Sequence, residues 1–318
     1  MGKYIIRRLL ISIPMLIGIT LIIFLLANLL PGDAVTAMMA TEAPVSQDAI
    51  DQMRANLGLD KSIVVRYAIW VKGLLQGNLG YSHISYLSVG QVISERIGPT
   101  LELMGISLLI SIVIGIILGV ISALKQYTVL DYVLTVLGFI GRSIPVFFVG
   151  MLLIYFFALK LPWFPVSGMS EAGTDGGIRD NIWHLVLPMV SLSILRIAEF
   201  LRYTRASMLE QLHSDFVWTA RSKGLKEKMV ISKHVFRNAL IPIITLIGLN
   251  IPVLFSGAII IEQVFQWPGI GTLFVTSVTQ RDYPMLMGLS LISSIVILIS
   301  NLLTDIMYAV ADPRIKYE

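Results

Sequence analysis

Between Glu102 and Lys125 the chain runs for 22 residues without a charge, LMGISLLISIVIGIILGVISAL, and serine is the only polar side chain in the run. A helix rises about 1.5 Å per residue, so this stretch is about 33 Å long and matches the roughly 30 Å hydrocarbon core of a bilayer. It has no polar face at period 2 or 3.6, and in water it would need burial on every side. Counting this run, six stretches are long and apolar enough to span: Leu9 to Leu30, Leu101 to Leu124, Tyr132 to Leu159, Leu185 to Met208, Leu240 to Ile261 and Met285 to Met307. Composition agrees, with 56% hydrophobic and 14% charged residues, against about 25% charged in a soluble domain. The expected fold class is an all-α polytopic membrane protein.

Lys3, Arg7 and Arg8 precede the first run. That run exceeds the 7 to 15 apolar residues of a cleaved signal sequence, so it is expected to be a retained first helix. Lys and Arg concentrate in cytoplasmic loops. With the N-terminus inside, that side holds Lys3, Arg7 and Arg8, then Lys125, the cluster from Arg202 to Arg237, and Arg314 with Lys316. Both termini are therefore expected in the cytoplasm. The boundaries that follow are an N-terminal spanning helix at 1–30, an extracytoplasmic helical insert at 31–99, a core at 100–310 and a tail at 311–318. Within the insert, helices are expected from Ser46 to Gly58, in SIVVRYAIWVKGLLQG up to Gly77, and in SVGQVISERIG.

Several chemistries find no footing. Cysteine is absent, which excludes thiolate metal sites and cysteine nucleophiles. No P-loop, H-E-x-x-H or G-x-S-x-G pattern occurs. His83, His184, His213 and His234 fall in different segments without ligand spacing, so they are expected at surfaces or interfaces, and no metal site is expected.

Ionisable groups at membrane depth are costly and become functional candidates by default. Arg142 lies in GRSIP, three residues before Pro145, which should kink or open the third span. Arg196, Glu199, Arg202 and Arg205 recur every three residues in the fourth span, nearly on one face. Arg142, Pro145, Arg196 and Glu199 are candidates for a pathway wall or gate. The plainer alternative is a ladder in which Glu199 neutralises Arg196 or Arg202, with Arg202 and Arg205 reaching the cytoplasmic interface. Glu262 and Asp305, near span ends, are expected to be anchors or paired groups.

The segment DFVWTARSKGLKEKMVISKHVFRNALIP, Asp215 to Pro242, puts four Lys and two Arg between apolar runs. Phe216 to Lys223 reads as a helix stopped by Gly224, and Lys226 to Asn238 as a second helix. Ala220 and Gly224 are small and four residues apart, so they would let another protein's backbone approach closely.

The motifs YIIRRLL, LLPGD, LGLD, GNLGYS, PTLEL, TRASMLE, TARSKGL, RNALIP, FQWPGIG, RDYP and ADPRI follow in this order, and together they resemble the permease subunits of ATP-binding-cassette importers, specifically the dipeptide and oligopeptide family that also includes nickel permeases. The resemblance covers essentially the whole chain. It implies a type I importer permease fold, with a cytoplasmic EAA-type loop at about 207–238 whose coupling helix docks on a separate ATPase. Trp218, Thr219, Ala220, Gly224, Leu225 and Lys226 carry that role. The general motif has Glu and Ala where this chain has Trp218 and Thr219, and Pro242 stands farther from the glycine.

The resemblance also implies a second homologous permease forming a heterodimer, two ABC ATPases that bind ATP and Mg, and an external solute-binding protein. No cofactor in this chain, no enzymatic activity of its own and no nucleic-acid partner are expected. The location implied is a bacterial or archaeal cytoplasmic membrane, and the solute is a peptide. Nickel or another metal chelate, glutathione and glycans remain alternatives. Trp267, Pro268 and Gly269 are candidates for meeting the receptor or closing the outer mouth. A secondary transporter driven by protons or sodium, with Glu199 and Arg196 as relay, is a competing reading, although no internal repeat supports it. A membrane-embedded enzyme is another, against which the missing motifs argue.

Overall fold

The computed structural model describes residues 2–29, 52, 60–171, 173, 176–251, 253–256 and 258–311. The expected exterior helix at Ser46 to Gly58 and the basic tail with Arg314 and Lys316 lie outside the described residues. In chain order the helices are α1 (Gly2–Leu29), α2 (Ile63–Leu75), α3 (Val89–Leu124), α4 (Val129–Ser143), α5 (Val146–Lys160) and α6 (Ile178–Leu212). After them come α7 (Asp215–Ser222), α8 (Glu227–Asn250), α9 (Val253–Ser256), α10 (Ile259–Val264), α11 (Ile270–Thr279) and α12 (Tyr283–Ala311). The described residues contain no strand, only an isolated bridge between Tyr81 and Ser88.

Among the described residues five helices are long and apolar enough to cross a membrane, and α4 with α5 makes a sixth span bent by 100°. The break falls where GRSIP predicts it. Proline lacks an N–H and pushes the residue before it into extended backbone. Ile144 accordingly adopts φ −85° and ψ 128°, and α5 restarts after Pro145.

Two boundaries differ from expectation. The segment SVGQVISERIG is no separate exterior helix; it continues through Pro99 into the second span as α3. Burial of Val89 and Ile93 holds this first part helical. The fifth span was expected to reach Ile261, but α8 starts at Glu227 and stops at Asn250, leaving Ile259–Val264 as the separate α10. Pro252 has no N–H to return to the preceding turn.

The chain forms two compact units, residues 1–98 with 269–299, and residues 99–268 with 300–318. In the first, Val89, Ile93, Ile270, Met285 and Leu289 form a buried cluster. Beside them Asp282, 3% exposed, accepts from the Ser82 hydroxyl and, at 3.3 Å, from the backbone N–H of His83. In the second unit α6 is central, with α4, α5 and α8 packed on it. The α3 glycines explain how closely that helix also approaches: a Cβ on Gly115 would lie 2.4 Å from Phe200 Cβ, and one on Gly119 2.5 Å from Thr204 Cβ. In lipid, where helix association depends on close packing, such small residues four apart form the contact face.

Candidate functional site

The basic segment folds into a compact knob. α7 ends at Ser222, and Gly224, at φ 76°, takes the left-handed conformation that closes a helix. The Gly224 N–H donates to Arg221 O at 2.9 Å and the Leu225 N–H to Ala220 O at 3.4 Å, the paired bonds of a Schellman turn. Leu225 then packs on a cluster of Ala123, Met208, Val217, Ala220, Val230, Val235 and Ala239. An Arg221–Glu227 ion pair at 2.6 Å and the Arg221 guanidinium over Trp218, 5.9 Å from the ring centre, brace the turn from outside. The predicted glycine stop is therefore present. The predicted second helix, Lys226 to Asn238, runs on instead as α8, with π-helical geometry from Val230 to Phe236.

Ala220 differs from the expectation. Its side chain is 5% exposed and faces the internal cluster. The three-residue offset from buried Val217 puts the two on one inward face, so the smallness of Ala220 serves packing within the knob. The outward residues are Trp218, which is 60% exposed, with Phe216, Thr219, Lys223, Gly224 and Lys226. A Cβ built on Gly224 meets nothing within 4 Å, so this position is open to an approaching surface.

The charged residues of the spans separate into different surroundings. Arg142 lies exposed in the last turn of α4, at the break made by Pro145. The Arg196 guanidinium donates to Asn250 Oδ1 on α8 at 3.1 Å, and Arg196 and Glu199 are half-buried. Neither the Arg196–Glu199 nor the Glu199–Arg202 pair is among the ion pairs within 4.0 Å of the described residues. Arg202 is exposed and lies over the Tyr203 ring at 5.3 Å. Arg205 makes a bidentate pair with Asp131 of α4, at 2.7 and 2.8 Å.

The spacing reading of one face fails for a geometric reason. Steps of three residues turn about 300° each, a drift of about 60°, so Arg205 lies half a turn away from Arg196. Asp131, absent from the candidates, is the centre of this site: it is 2% exposed, and it also accepts from the Ser122 hydroxyl and the Tyr127 N–H. Its sequence signal was an acid in the first turn of a helix, three residues after the capping Thr128.

Trp267 is fully buried in the second unit, packed with Leu103, Leu185 and Phe265, and its Nε1 donates to Pro99 O at 2.8 Å. A large aromatic ring with a satisfied N–H belongs to the core, so the Trp267 side chain is enclosed rather than presented at a surface. Pro268 is half-buried and Gly269 buried. Glu262, also fully buried, accepts from Thr100 Oγ1 at 3.0 Å, as a paired group should. His184 bonds to the Asp180 carbonyl at 2.9 Å and to its carboxylate at 3.1 Å. Asp305 lies in α12, beyond the described side chains.

An all-helical chain with five or six spans, one of them broken, and a folded knob between two long helices defines a polytopic permease of the type I ABC importer fold. A solved structure of the inward-facing MetNI methionine ABC transporter shares that fold, with a TM-score of 0.53 and 14% identity over 70% of this chain and 97% of that one. The chain belongs to the family of binding-protein-dependent transport system inner membrane components: the model of that description matches residues 115–317, and that of its N-terminal part residues 1–104. The oligopeptide transport system permease protein AppB of Bacillus subtilis is 42% identical over the full length of both chains. The dipeptide transport system permease protein DppB of Escherichia coli is 36% identical, again over all of both. A di/tripeptide transport system permease protein DppB of Pseudomonas aeruginosa is 37% identical over the same extent.

Proposed function

We propose that this chain is one permease subunit of an ATP-driven peptide importer, forming half of the translocation pathway for peptides handed over by an external solute-binding protein. What carries the reading is full-length similarity to permeases named for oligopeptide, dipeptide and di/tripeptide transport. A homologous second permease completes the channel, and two separate ATPase subunits bind ATP and Mg. The termini and the knob face the cytoplasm, where Trp218, Thr219, Gly224, Leu225 and Lys226 form the ATPase contact, with Ala220 holding that surface from behind.

The knob suits this role mechanically. Its internal cluster includes Ala123 of α3 and Met208 of α6, and it continues directly into α8, so force on α7 reaches three long helices through packed side chains. Interiors of this density transmit displacement rather than absorb it. Arg142 and Pro145 at the broken span, with Arg196 and Glu199, supply the candidate pathway groups.

The test uses Gly224→Asp, Gly224→Asn and Gly224→Val in the assembled transporter. Asn tolerates left-handed backbone whereas β-branched Val does not. Gly224→Asp and Gly224→Val are expected to lose ATPase association and peptide uptake while inserting normally in the membrane, with Gly224→Asn retaining part of both. Wild-type uptake by Gly224→Asp would refute the coupling role.

A further inference from the structure

We infer that α2 is a membrane-inserted helix, lying in the lipid leaflet at the Leu29 end of α1 with its outward face against acyl chains. The inference rests on α1 crossing the bilayer and is independent of the solute carried. The sequence places this helix in an extracytoplasmic insert, and three observations put its outward face in lipid.

The first is depth. α2 is fastened to α1 by the Tyr67 hydroxyl, 2.9 Å from Thr20 Oγ1, and by Phe24, whose ring centre lies 5.4 Å from that of Tyr67 and 5.7 Å from that of Trp70. The apolar span of α1 runs from Leu10 to Leu29. At about 1.5 Å per residue, Phe24 lies about 8 Å and Thr20 about 14 Å inside its Leu29 end. An interfacial helix sits about 5 to 10 Å into the headgroup and acyl boundary, and a tyrosine pointing inward from that level reaches the depth of Thr20. Phe24 is 4% exposed, so α2 covers α1 at this level.

The second is the outward face. Val64, Val65, Ile69 and Leu75 are 72%, 45%, 53% and 84% exposed, and Ala68 is exposed among them. At about 100° per residue they fall on one side of the helix, and no residue of α2 is buried. Such a face, apolar apart from Lys72 at its middle, suits the acyl and headgroup boundary, not bulk water.

The third is the charge. Lys72 lies on the outward side, exposed, and Arg66 on the flank; neither forms an ion pair among the described residues. Their long stems let the cationic heads rise to lipid phosphates while the methylenes stay in the apolar layer. Tyr67 and Trp70 are the aromatic types enriched at that boundary.

The chain has no cysteine, so each introduced cysteine is the one labelling site in this subunit, which is labelled against partner subunits freed of their own cysteines. Val64→Cys and Ile69→Cys would be labelled in the assembled transporter in phospholipid bilayers, with Lys228→Cys, exposed on the knob and outside the proposed ATPase contact, as the aqueous reference. Because both α2 side chains face outward, labelling leaves the packing against α1 intact. Collision with oxygen exceeding collision with the water-soluble nickel chelate at both α2 positions, and the reverse at Lys228, is the expected result. Strong collision with the nickel chelate at Val64 and Ile69 would place α2 in water and overturn the inference. Protection from both reagents would show a protein partner on that face and overturn it equally.

Discussion

At the scale of single residues, the contact of Asp131 with Arg205 ties α4 to α6 across 74 positions. Its geometry is bidentate, and the remaining carboxylate capacity goes to Ser122 and the Tyr127 N–H. The Asp131 side chain is buried while that of Arg205 is 27% exposed, so removing one partner strands a charge at a cost below the about 3 to 5 kcal/mol of a fully buried pair, and removing both costs less still. Asp131→Ala and Arg205→Ala are each expected to lower the thermal midpoint of the purified complex, and the double variant to fall by less than their sum. Additive losses would mean the two side chains act independently. Arg205→Lys keeps the charge but not the fork, so it should recover only part of the loss. His83 gives the pH prediction. Burial lowers its pKa below 6.5, and the Asp282 carboxylate opposes that shift less strongly. The unfolded segment therefore takes up a proton that the folded one resists. This contribution to stability is complete above the ordinary histidine value and is lost as pH falls from there through the lowered value of the folded state. Acid destabilisation around the Ser82–Asp282 contact, followed by hydrogen exchange corrected for intrinsic rate, should be weaker in His83→Asn.

At the scale of elements, the apolar runs marked the spans because lipid demands length and apolarity, both of which a sequence displays directly. The break at Ile144 was equally legible, since proline acts on its immediate neighbours. Direction was harder to read. Ala220 was recognisable as small, but whether it faced a partner or the knob's own interior depended on Val217, Val230 and Val235 meeting across two helices and a turn. The Arg205–Asp131 pairing was hidden for the same reason, because nothing local links α4 to α6. Trp267 looked like a loop residue and proved to be core, since its partners Leu103 and Leu185 come from α3 and α6. The α3 glycines make a clean test of helix packing. An added Cβ at Gly119 would lie 2.8 Å from Leu201 O, while one at Gly105 on the same helix meets nothing within 4 Å. Gly119→Ala is expected to cost about 1 to 3 kcal/mol, as overpacking does. Gly105→Ala should be neutral or stabilising through helix propensity. Equal thermal midpoints for the two variants would contradict the packing described for α3 and α6.

At the scale of the whole molecule, membership of the inner-membrane component family covers both the N-terminal segment and the span-rich remainder. The permease reading joins that family to a knob whose inward residues are packed and whose outward residues are open. It assigns the energy source to partner subunits, so transport by this chain should depend on them entirely. The most direct measurement is uptake of a labelled peptide into proteoliposomes holding this chain and its permease partner, supplied with the solute-binding protein. Addition of the ATPase subunits and ATP is expected to switch uptake on, with no response to a proton or sodium gradient. Uptake that proceeds without the ATPase subunits, or that follows an ion gradient in their absence, would contradict the account.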